Sequence, residues 1–277
     1  MTVSLIELAD LVWPQRCAAC AAPGAAWCSR CAADLKDGGF RGGPARVRPR
    51  PAPPGMPPVH AWGPYRGVVR TAVVAYKDRD RRDLQSVLAP LLASALAAAV
   101  ANGTPSSAAP RTTPVGRTPR GPVLVVPVPS SAGAIRQRGD RPLERLGCRA
   151  AAAASAAMVA GATLTWAPCI RTRRGVDDQA GLDRRARGVN VAGAFVLRSR
   201  WRAAVNGASC VVVDDVVTTG ATLTEAARAL RAGGAGDVRC ATIAATARHH
   251  EGGTRQDGSP GRRRPEPPAG GRRSRWE

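Results

Sequence analysis

The chain has 277 residues, enough for one medium-sized domain and a small module, and with 44% hydrophobic but only 4% aromatic residues its core consists mainly of Ala, Val and Leu. A formal net charge of +21 favours anionic partners such as phosphorylated metabolites, nucleic acids or anionic lipid surfaces, although the bias towards Arg, Ala, Gly and Pro is also typical of a GC-rich genome. No apolar run reaches the roughly 18 residues of a membrane span. The start carries Glu7 and Asp10 in place of a basic segment, so we expect a cytoplasmic protein with neither a membrane span nor a signal peptide.

Residues 1–40 are predicted to form a small metal-binding module. A short amphipathic helix is expected over 3–12, and two Cys-x₂-Cys pairs follow it: Cys17, Cys20, Cys28 and Cys31. Each pair is typical of a knuckle, and two knuckles complete a tetrahedral Zn²⁺ site with no open coordination position, so the predicted zinc is structural or partner-binding. Paired cysteines in a cytoplasmic chain favour a metal, with disulfides or redox chemistry as the alternative.

The segment 41–58 is rich in Pro and Gly, which predicts a linker without regular packing. Order is expected to resume at residue 59 with a short strand, a turn at Gly63-Pro64 and a helix that reaches Lys77. A second helix is predicted over 84–101. The Pro- and Thr-rich stretch 102–121 then predicts a flexible insertion.

After residue 122 apolar strands alternate with helices. Strands are predicted over 123–128, 193–199, 209–215 and 237–246, and helices over 141–160 and 222–233, the last with a Thr cap. Such alternation implies an α/β fold with a parallel sheet covered on both faces, here spanning 59–247. Residues 248–277 are Gly, Pro and Arg without periodicity and predict a disordered basic tail. Cys148, Cys169, Cys210 and Cys240 lie singly in this region and are most simply small core residues.

The stretch VVVDDVVTTGAT, residues 211–222, contains the most informative pattern. Asp214 and Asp215 follow a buried strand, where ligands of open α/β sheets bind, and a turn then leads into a helix N-terminus. Two adjacent carboxylates can accept hydrogen bonds from neighbouring ribose hydroxyls, while the turn can hold a phosphate through hydroxyls and backbone N–H groups. The predicted phosphate turn consists of Thr218, Thr219, Gly220, Ala221 and Thr222. A buried strand with a capped turn is the alternative, but it leaves the acid pair unexplained. No Gly-Lys-Ser/Thr follows, which excludes a nucleotide P-loop.

This stretch resembles the phosphoribosyl pyrophosphate (PRPP) signature of type I phosphoribosyltransferases. The resemblance implies that pyrophosphate leaves C1 of PRPP as a nucleophile attacks it, with Asp214 and Asp215 as the catalytic pair and Mg²⁺ bridging pyrophosphate and ribose oxygens. Purine-salvage members carry Asp where this chain has Thr218, so a purine acceptor is not indicated. The start Met-Thr-Val and the chain length leave no room for a glutaminase domain.

Three basic segments have expected roles, two of them implied by the resemblance and that of Lys77 indicated by its being a lysine in a chain whose basic residues are almost all arginine. The loop after strand 123–128 is expected to hold pyrophosphate through Ser130, Ser131, Arg136 and Arg138; a Pro-bounded turn with surface arginines is the alternative. Lys77, one of two lysines, is expected to supply a point charge for PRPP, with a solvated helix end as the alternative. The segment 171–195 is expected to form a mobile lid, or else a solvated loop.

The order of these motifs is similar to that of the ComF/GntX family of competence-associated phosphoribosyltransferase-like proteins, over nearly all of 13–247. The matching features are the four-cysteine module, Tyr76-Lys77, the Val-Pro-Val-Pro-Ser stretch 126–130, Arg136 to Gly139, Gln179, Leu182, Arg187, Asn190-Val191, Ala194-Phe195 and the stretch 211–222. The resemblance implies a type I phosphoribosyltransferase fold with a small N-terminal zinc-ribbon-like module. Asp140 departs from the family pattern, in which a non-acidic residue is common.

Two classes of function follow from the resemblance. One is an enzyme that transfers ribose 5-phosphate from PRPP to an unknown acceptor. The other is a non-catalytic DNA-uptake or regulatory factor that binds single-stranded DNA or a competence helicase, with PRPP as effector and Trp13, Trp27 and Trp62 as candidate stacking residues. A nucleic-acid-binding regulator acting through the arginine-rich tail is a third hypothesis, and the fold is also compatible with a homodimer.

Overall fold

The computed structural model describes residues 15–102, 122–130, 133, 135–136, 139–158, 163–173 and 192–246. The predicted helix over 3–12, the insertion over 103–121 and the tail over 248–277 lie outside the described residues. Most of the predicted lid, residues 174–191, also lies outside them.

The centre of the fold is a six-stranded, mostly parallel sheet with the strand order β1-β2-β8-β7-β3-β4. Its strands are β1 (Ala45–Val47), β2 (Val59–Pro64), β3 (Val123–Pro127), β4 (Leu164–Trp166), β7 (Ser209–Val217) and β8 (Asp237–Ala245). Only the edge strand β1 runs antiparallel to its neighbour. The strands β5 (Ile170–Thr172) and β6 (Phe195–Leu197) form a separate antiparallel pair. The predicted parallel α/β sheet is therefore confirmed.

Six α-helices whose bounds lie within the described residues connect or flank these strands. They are α1 (Ser29–Asp37), α2 (Gly67–Asp78), α3 (Gln85–Ala101), α4 (Pro142–Ala157), α5 (Arg202–Val205) and α6 (Ala221–Ala232), with 3₁₀ turns at Arg82–Leu84 and Ser199–Trp201. The helices predicted over 84–101 and 141–160 correspond to α3 and α4. Because α3 is apolar on nearly every side, it packs into the interior, where Leu88, Leu92 and Leu96 are fully buried.

Side chains from the two faces of the sheet pack into two hydrophobic cores. Val211 and Val213 face the first core, which contains α2, α3 and α4. Cys210 and Val212 face the second core, which contains α6 and the β5–β6 pair. This alternation of period two places covering layers on both faces, as the apolar strands predict.

One described helix segment, Arg82–Ala101, is long and apolar enough to cross a membrane by length and composition alone. The expectation that no segment reaches this length therefore needs correction. Its leucines pack against the sheet and α4, which is the environment of a core helix. Arg239, only 3% exposed, donates hydrogen bonds to the carbonyls of Ala99 and Val100. These bonds give partners to carbonyl groups at the C-terminal end of α3.

Three local predictions are wrong. Within the expected linker, residues 45–47 form the edge strand β1, because Val47 gains a buried position beside Val59 of β2. Cys148 is exposed on α4 instead of lying in the core, whereas Cys169, Cys210 and Cys240 are buried. The residue that caps α6 is Gly220, in the left-handed region at φ 78°, instead of a threonine.

The four-cysteine module is docked against the α/β domain. Leu35 of α1 belongs to the first core, together with Val69 of α2, and Trp27 packs against that core. Arg81 donates hydrogen bonds to the carbonyls of Arg16 (2.9 Å) and Ala26 (3.3 Å), which flank the first two cysteines. The module and the turn that follows α2 are thus held together by both packing and hydrogen bonds.

Candidate functional site

The acid pair lies at the carboxyl end of β7, a central strand between β8 and β3. Val213 and Val216 both pack against the first core although they are three positions apart, so the regular alternation of faces is interrupted at Asp214 and Asp215. This interruption lets both carboxyl groups line the same cavity. Backbone N–H groups of Asp215 and Val216 each donate a 2.8 Å hydrogen bond to the carboxylate that precedes them, which fixes the orientation of both side chains.

Lys77, in the last turn of α2, reaches the acid pair from the neighbouring layer. Its Nζ atom lies 2.5 Å from Oδ2 of Asp215. Burial acts to lower the pKa of Lys77, but the charges of Asp215 and Asp214 outweigh it and raise that pKa. The lysine is therefore a permanent cation that compensates one of the two acids.

Asp214 is the less compensated member of the pair. Burial, followed by the negative charge of Asp215, raises the pKa of Asp214 well above its ordinary value, while the charge of Lys77 opposes the shift only in part. A carboxyl group in this environment gains from hydrogen-bond donors. Hydroxyl groups of a ligand in the cavity can supply them.

The turn after β7 presents backbone donors to the same edge of the sheet. Among the described residues, the N–H groups of Thr219, Gly220 and Thr222 have no protein acceptor, while Ala221 N–H makes only a 3.4 Å contact with Thr219 Oγ1. The Gly220 carbonyl accepts hydrogen bonds from both the N–H and the hydroxyl of Thr224, which holds the first turn of α6. The helix N-terminus therefore offers unpaired donors and a partial positive charge to an anion.

Two adjoining cavities connect these groups. The outer cavity, about 320 Å³, is lined by Tyr65, Val73, Val74, Lys77, Asp78, Asp214, Asp215, Val216, Thr218 and Thr222. The inner cavity, about 240 Å³, shares Val73, Lys77 and the acid pair with it and reaches Ser130 after β3. A larger groove of about 640 Å³ lies between the β5–β6 pair and α6, and neither acid lines it. The shared wall makes the two cavities one candidate site with a phosphate-compatible end and a Ser130 end.

The structure brings most of the predicted site residues together. Asp214, Asp215, Lys77, Ser130, Thr218 and Thr222 line the two cavities, and Thr219, Gly220 and Ala221 lie in the turn beside them. Arg136 is exposed and lines neither cavity. Ser131 and Arg138 lie outside the described residues.

Sequence reasoning missed a polar link on the Ser130 side. Arg82 makes a bidentate ion pair with Asp140 (2.6 and 2.9 Å) and lies over the ring of Tyr76, 5.2 Å from its centroid. The Tyr76 hydroxyl donates a 2.9 Å hydrogen bond to the carbonyl of Pro142. Asp140 thus ties the start of α4 to the turn after α2. The acidic residue at position 140 was visible in the sequence as a departure from the family pattern, but the sequence did not indicate Arg82 as its partner.

The four cysteines form a compact cluster. Their sulfur atoms all lie within 4.8 Å of one another, and those of Cys20 and Cys28 are 3.6 Å apart. Zn–S bonds in a tetrahedral site give sulfur separations of roughly 3.8 Å. Burial acts to raise the pKa of Cys17, but hydrogen bonds from the N–H groups of Cys20 and Cys28 outweigh it and lower the pKa to about 6. The donor set therefore fits a thiolate-binding metal such as zinc.

Comparison with known families identifies the domain that contains the acid pair. Residues 184–258 match the family model of the phosphoribosyl transferase domain, and this segment contains the whole of β7, the phosphate turn and α6. A search of curated proteins found no match. The chain therefore contains a phosphoribosyl transferase domain on a mostly parallel α/β sheet, with a four-cysteine cluster at its N-terminal side.

Proposed function

We infer that the protein binds PRPP and transfers its ribose 5-phosphate to an acceptor, with release of pyrophosphate. The observation that carries this function is the convergence of Asp214, Asp215, Lys77 and the phosphate turn on one cavity, within the segment that matches the phosphoribosyl transferase family. An acid pair next to unpaired helix N-terminal donors suits a sugar and a phosphate that are covalently linked.

Each group has a distinct role in binding. Asp214 and Asp215 accept hydrogen bonds from the two ribose hydroxyls, and the turn over 218–222 donates to the 5-phosphate. Lys77 offsets the charge of Asp215, so that a polyanionic ligand can approach the acid pair. Ser130 also lines a neighbouring cavity of about 190 Å³, together with Arg141, Arg171 and Arg198, and there Ser130, Ser131, Arg136 and Arg138 are proposed to hold the pyrophosphate.

The reaction needs no covalent enzyme intermediate. The lone pair of the acceptor's nucleophilic atom forms a bond to C1 of the ribose while the bond from C1 to the pyrophosphate oxygen breaks. The electron pair of that bond leaves with pyrophosphate, which also takes up the proton that the acceptor loses. Positive charge develops at C1 as the bond breaks, and the adjacent carboxylates of Asp214 and Asp215 stabilise it electrostatically. Positioning of the two reactants supplies much of the remaining acceleration.

Two metals belong to this proposal. Mg²⁺ bound with PRPP would neutralise pyrophosphate charge, and the carboxylate oxygens of the acid pair are the donor type that it prefers. Zn²⁺ in the four-cysteine cluster would be structural, because four thiolates leave no open coordination position.

We further propose that the protein is of the ComF/GntX type and cytoplasmic. The support is the order of features along the chain: a four-cysteine cluster, Tyr76-Lys77 at the end of α2, Ser130 after β3, and the acid pair after β7. A link to DNA uptake, through single-stranded DNA or a helicase partner, and a homodimer are further parts of this proposal.

The direct test is calorimetric titration of PRPP with Mg²⁺ into the zinc-loaded protein and into the double variant Asp214→Asn/Asp215→Asn. The wild type is expected to bind one PRPP per chain and the variant to lose at least tenfold in affinity. Circular dichroism and zinc content provide the control for folding. A folded wild type that does not bind PRPP would refute the proposed function.

A further inference from the structure

The inner cavity differs in chemistry from the rest of the site. Its polar groups, Lys77, Ser130, Asp214 and Asp215, lie towards the ends of the strands. The remaining lining is almost entirely apolar and comes from α2, α3, α4, the loop after β3 and β8: Val73, Tyr76, Leu88, Val128, Pro129, Pro142, Leu143, Leu146 and Ile243. The cavity therefore extends from the acid pair into the first hydrophobic core.

Most polar groups of this lining already have partners. The Tyr76 hydroxyl donates to the Pro142 carbonyl, and Lys77 is paired with Asp215. The Ser130 hydroxyl is the one neutral polar side chain of the described lining without a protein partner. An occupant of this cavity thus meets no unpaired cation and few hydrogen-bonding groups among the described residues.

On the basis of the function proposed above, we propose that the inner cavity holds the acceptor, and that the acceptor is an uncharged molecule with an apolar ring and a nucleophilic nitrogen. A carboxylated acceptor would be repelled by Asp214 and Asp215 and would lose its hydration without gaining an unpaired cation among the described lining residues. A ring rich in hydrogen-bonding groups would leave them unpaired against the apolar residues, which costs affinity. An apolar ring instead gains from the burial of its surface.

The size of the cavity supports a ring as its occupant. A dry apolar cavity of about 150 Å³ binds benzene. The inner cavity, at about 240 Å³, is large enough for a bicyclic ring beside the acid pair. A nitrogen at the polar end of such a ring faces the carboxylates that are proposed to hold the ribose. There its lone pair can attack C1 as pyrophosphate departs with the bonding electrons and the displaced proton.

The probes for this proposal are benzimidazole, which is uncharged near pH 7.5, and its matched anion benzimidazole-5-carboxylate. Both are titrated into the zinc-loaded protein saturated with ribose 5-phosphate, which has no leaving group and therefore permits no turnover. Benzimidazole is expected to bind at least tenfold more tightly than the carboxylate. Separate titration of ribose 5-phosphate reports on the sugar-phosphate site, so failure of that site is distinguished from failure of the acceptor proposal.

Leu143 offers a matched series of variants because it is half-buried at the cavity wall, where substitution leaves the core leucines in place. Leu143→Phe narrows the cavity and is expected to lower the affinity for benzimidazole roughly tenfold, because one misplaced group in an apolar pocket has an effect of about this size. Leu143→Met conserves volume and is expected to change benzimidazole affinity less than threefold. The affinity for ribose 5-phosphate is expected to stay within twofold in both variants.

Two results would overturn the acceptor proposal. One is that ribose 5-phosphate binds but benzimidazole does not, or binds no more tightly than its carboxylate. The other is that Leu143→Phe and Leu143→Met have the same effect on benzimidazole, which would place its binding outside the inner cavity.

Discussion

Lys77 and Asp215 form an ion pair with 2.5 Å between Nζ and Oδ2, which connects the last turn of α2 to the end of β7. This pair removes one negative charge from an edge of the sheet that otherwise carries two adjacent acids. It explains how a site with an acid pair can accept a ligand that is itself strongly anionic. The same contact places Tyr76, the neighbour of Lys77, on the wall of the inner cavity.

Replacement of Lys77 by Met is expected to weaken PRPP binding about tenfold or more, because the Asp215 charge is then left uncompensated and a hydrogen bond to a charged group is lost. Calorimetric titration measures the change. Lys36→Met is the matched control, since Lys36 is the other lysine and lies exposed on α1. Equal PRPP affinity in Lys77→Met and Lys36→Met would show that Lys77 has no part in the site.

Asp214→Asn is expected to stabilise the unliganded protein at neutral pH. The pKa of Asp214 is raised in the folded state, through burial and then the charge of Asp215, so the folded protein binds this proton more tightly than the unfolded chain. The free energy of unfolding therefore falls as the pH rises from the ordinary value of 3.8 through the raised pKa. Asn cannot ionise and escapes this loss.

Thermal unfolding of the wild type and Asp214→Asn between pH 4 and pH 8 measures this effect. The melting temperature of the variant is expected to rise relative to that of the wild type as the pH increases, while the variant binds PRPP more weakly. A difference in melting temperature that stays constant with pH, or that is largest at pH 4, would contradict the assignment of a raised pKa to Asp214.

Gly220→Ala is expected to damage the phosphate turn. Gly220 has φ 78°, and a Cβ atom there would lie 2.5 Å from Cε and 2.9 Å from Sδ of Met56. The backbone conformation alone costs a non-glycine residue about 1–3 kcal/mol, and the clash displaces Met56 or the turn. Both the melting temperature and the PRPP affinity should fall.

Gly55→Ala is the control for the cost of placing alanine in a left-handed backbone conformation, because Gly55 has a similar φ of 73° but nothing within 4 Å of its added Cβ. Gly220→Ala is expected to be the more harmful of the two. The further substitution Met56→Ala should restore part of the PRPP affinity of Gly220→Ala. Identical melting temperatures and affinities in the two single alanine variants would argue against the contact with Met56.

Removal of the metal with a chelator is expected to loosen the N-terminal module and lower the melting temperature, because the metal–sulfur bonds that join the four cysteines are then lost. Arg81→Ala removes the two hydrogen bonds to the module and should lower the melting temperature of the metal-loaded protein by about 2–4 °C. Differential scanning calorimetry measures both changes. Arg79→Ala is the control, because the Arg79 side chain is exposed. An unchanged melting temperature after complete loss of metal would show that the cluster is not structural.

Local sequence patterns were sufficient to predict the parallel sheet, the position of the candidate site and the cysteine cluster. Apolar runs of strand length between helical segments predicted the parallel sheet, and an acid pair followed by a glycine turn predicted the position of the site at a strand end. The Cys-x₂-Cys spacing predicted the cluster. In each case neighbouring residues in the chain determine the structure, so the pattern is readable without knowledge of the tertiary fold.

Contacts between distant segments were not predictable in this way. The sequence suggested a role for Lys77 but not its pairing with Asp215, and Asp140 looked like a departure until its partner Arg82 was known. The short strand β1 forms in a Pro- and Gly-rich segment because β2 offers it a sheet edge, which outweighs its weak local preference. Gly220 could be read as a turn residue, but its close approach to Met56 depends on how the segment after β1 packs.

The most direct test of the central claim is amide hydrogen exchange of residues 217–224, measured with and without saturating PRPP and Mg²⁺. Within this segment, the backbone N–H groups of residues 218–222 are proposed to donate to the 5-phosphate, and donors that gain an acceptor exchange more slowly. We predict that exchange in this segment slows at least tenfold when PRPP binds. Saturable PRPP binding that leaves exchange in 217–224 unchanged would contradict the account.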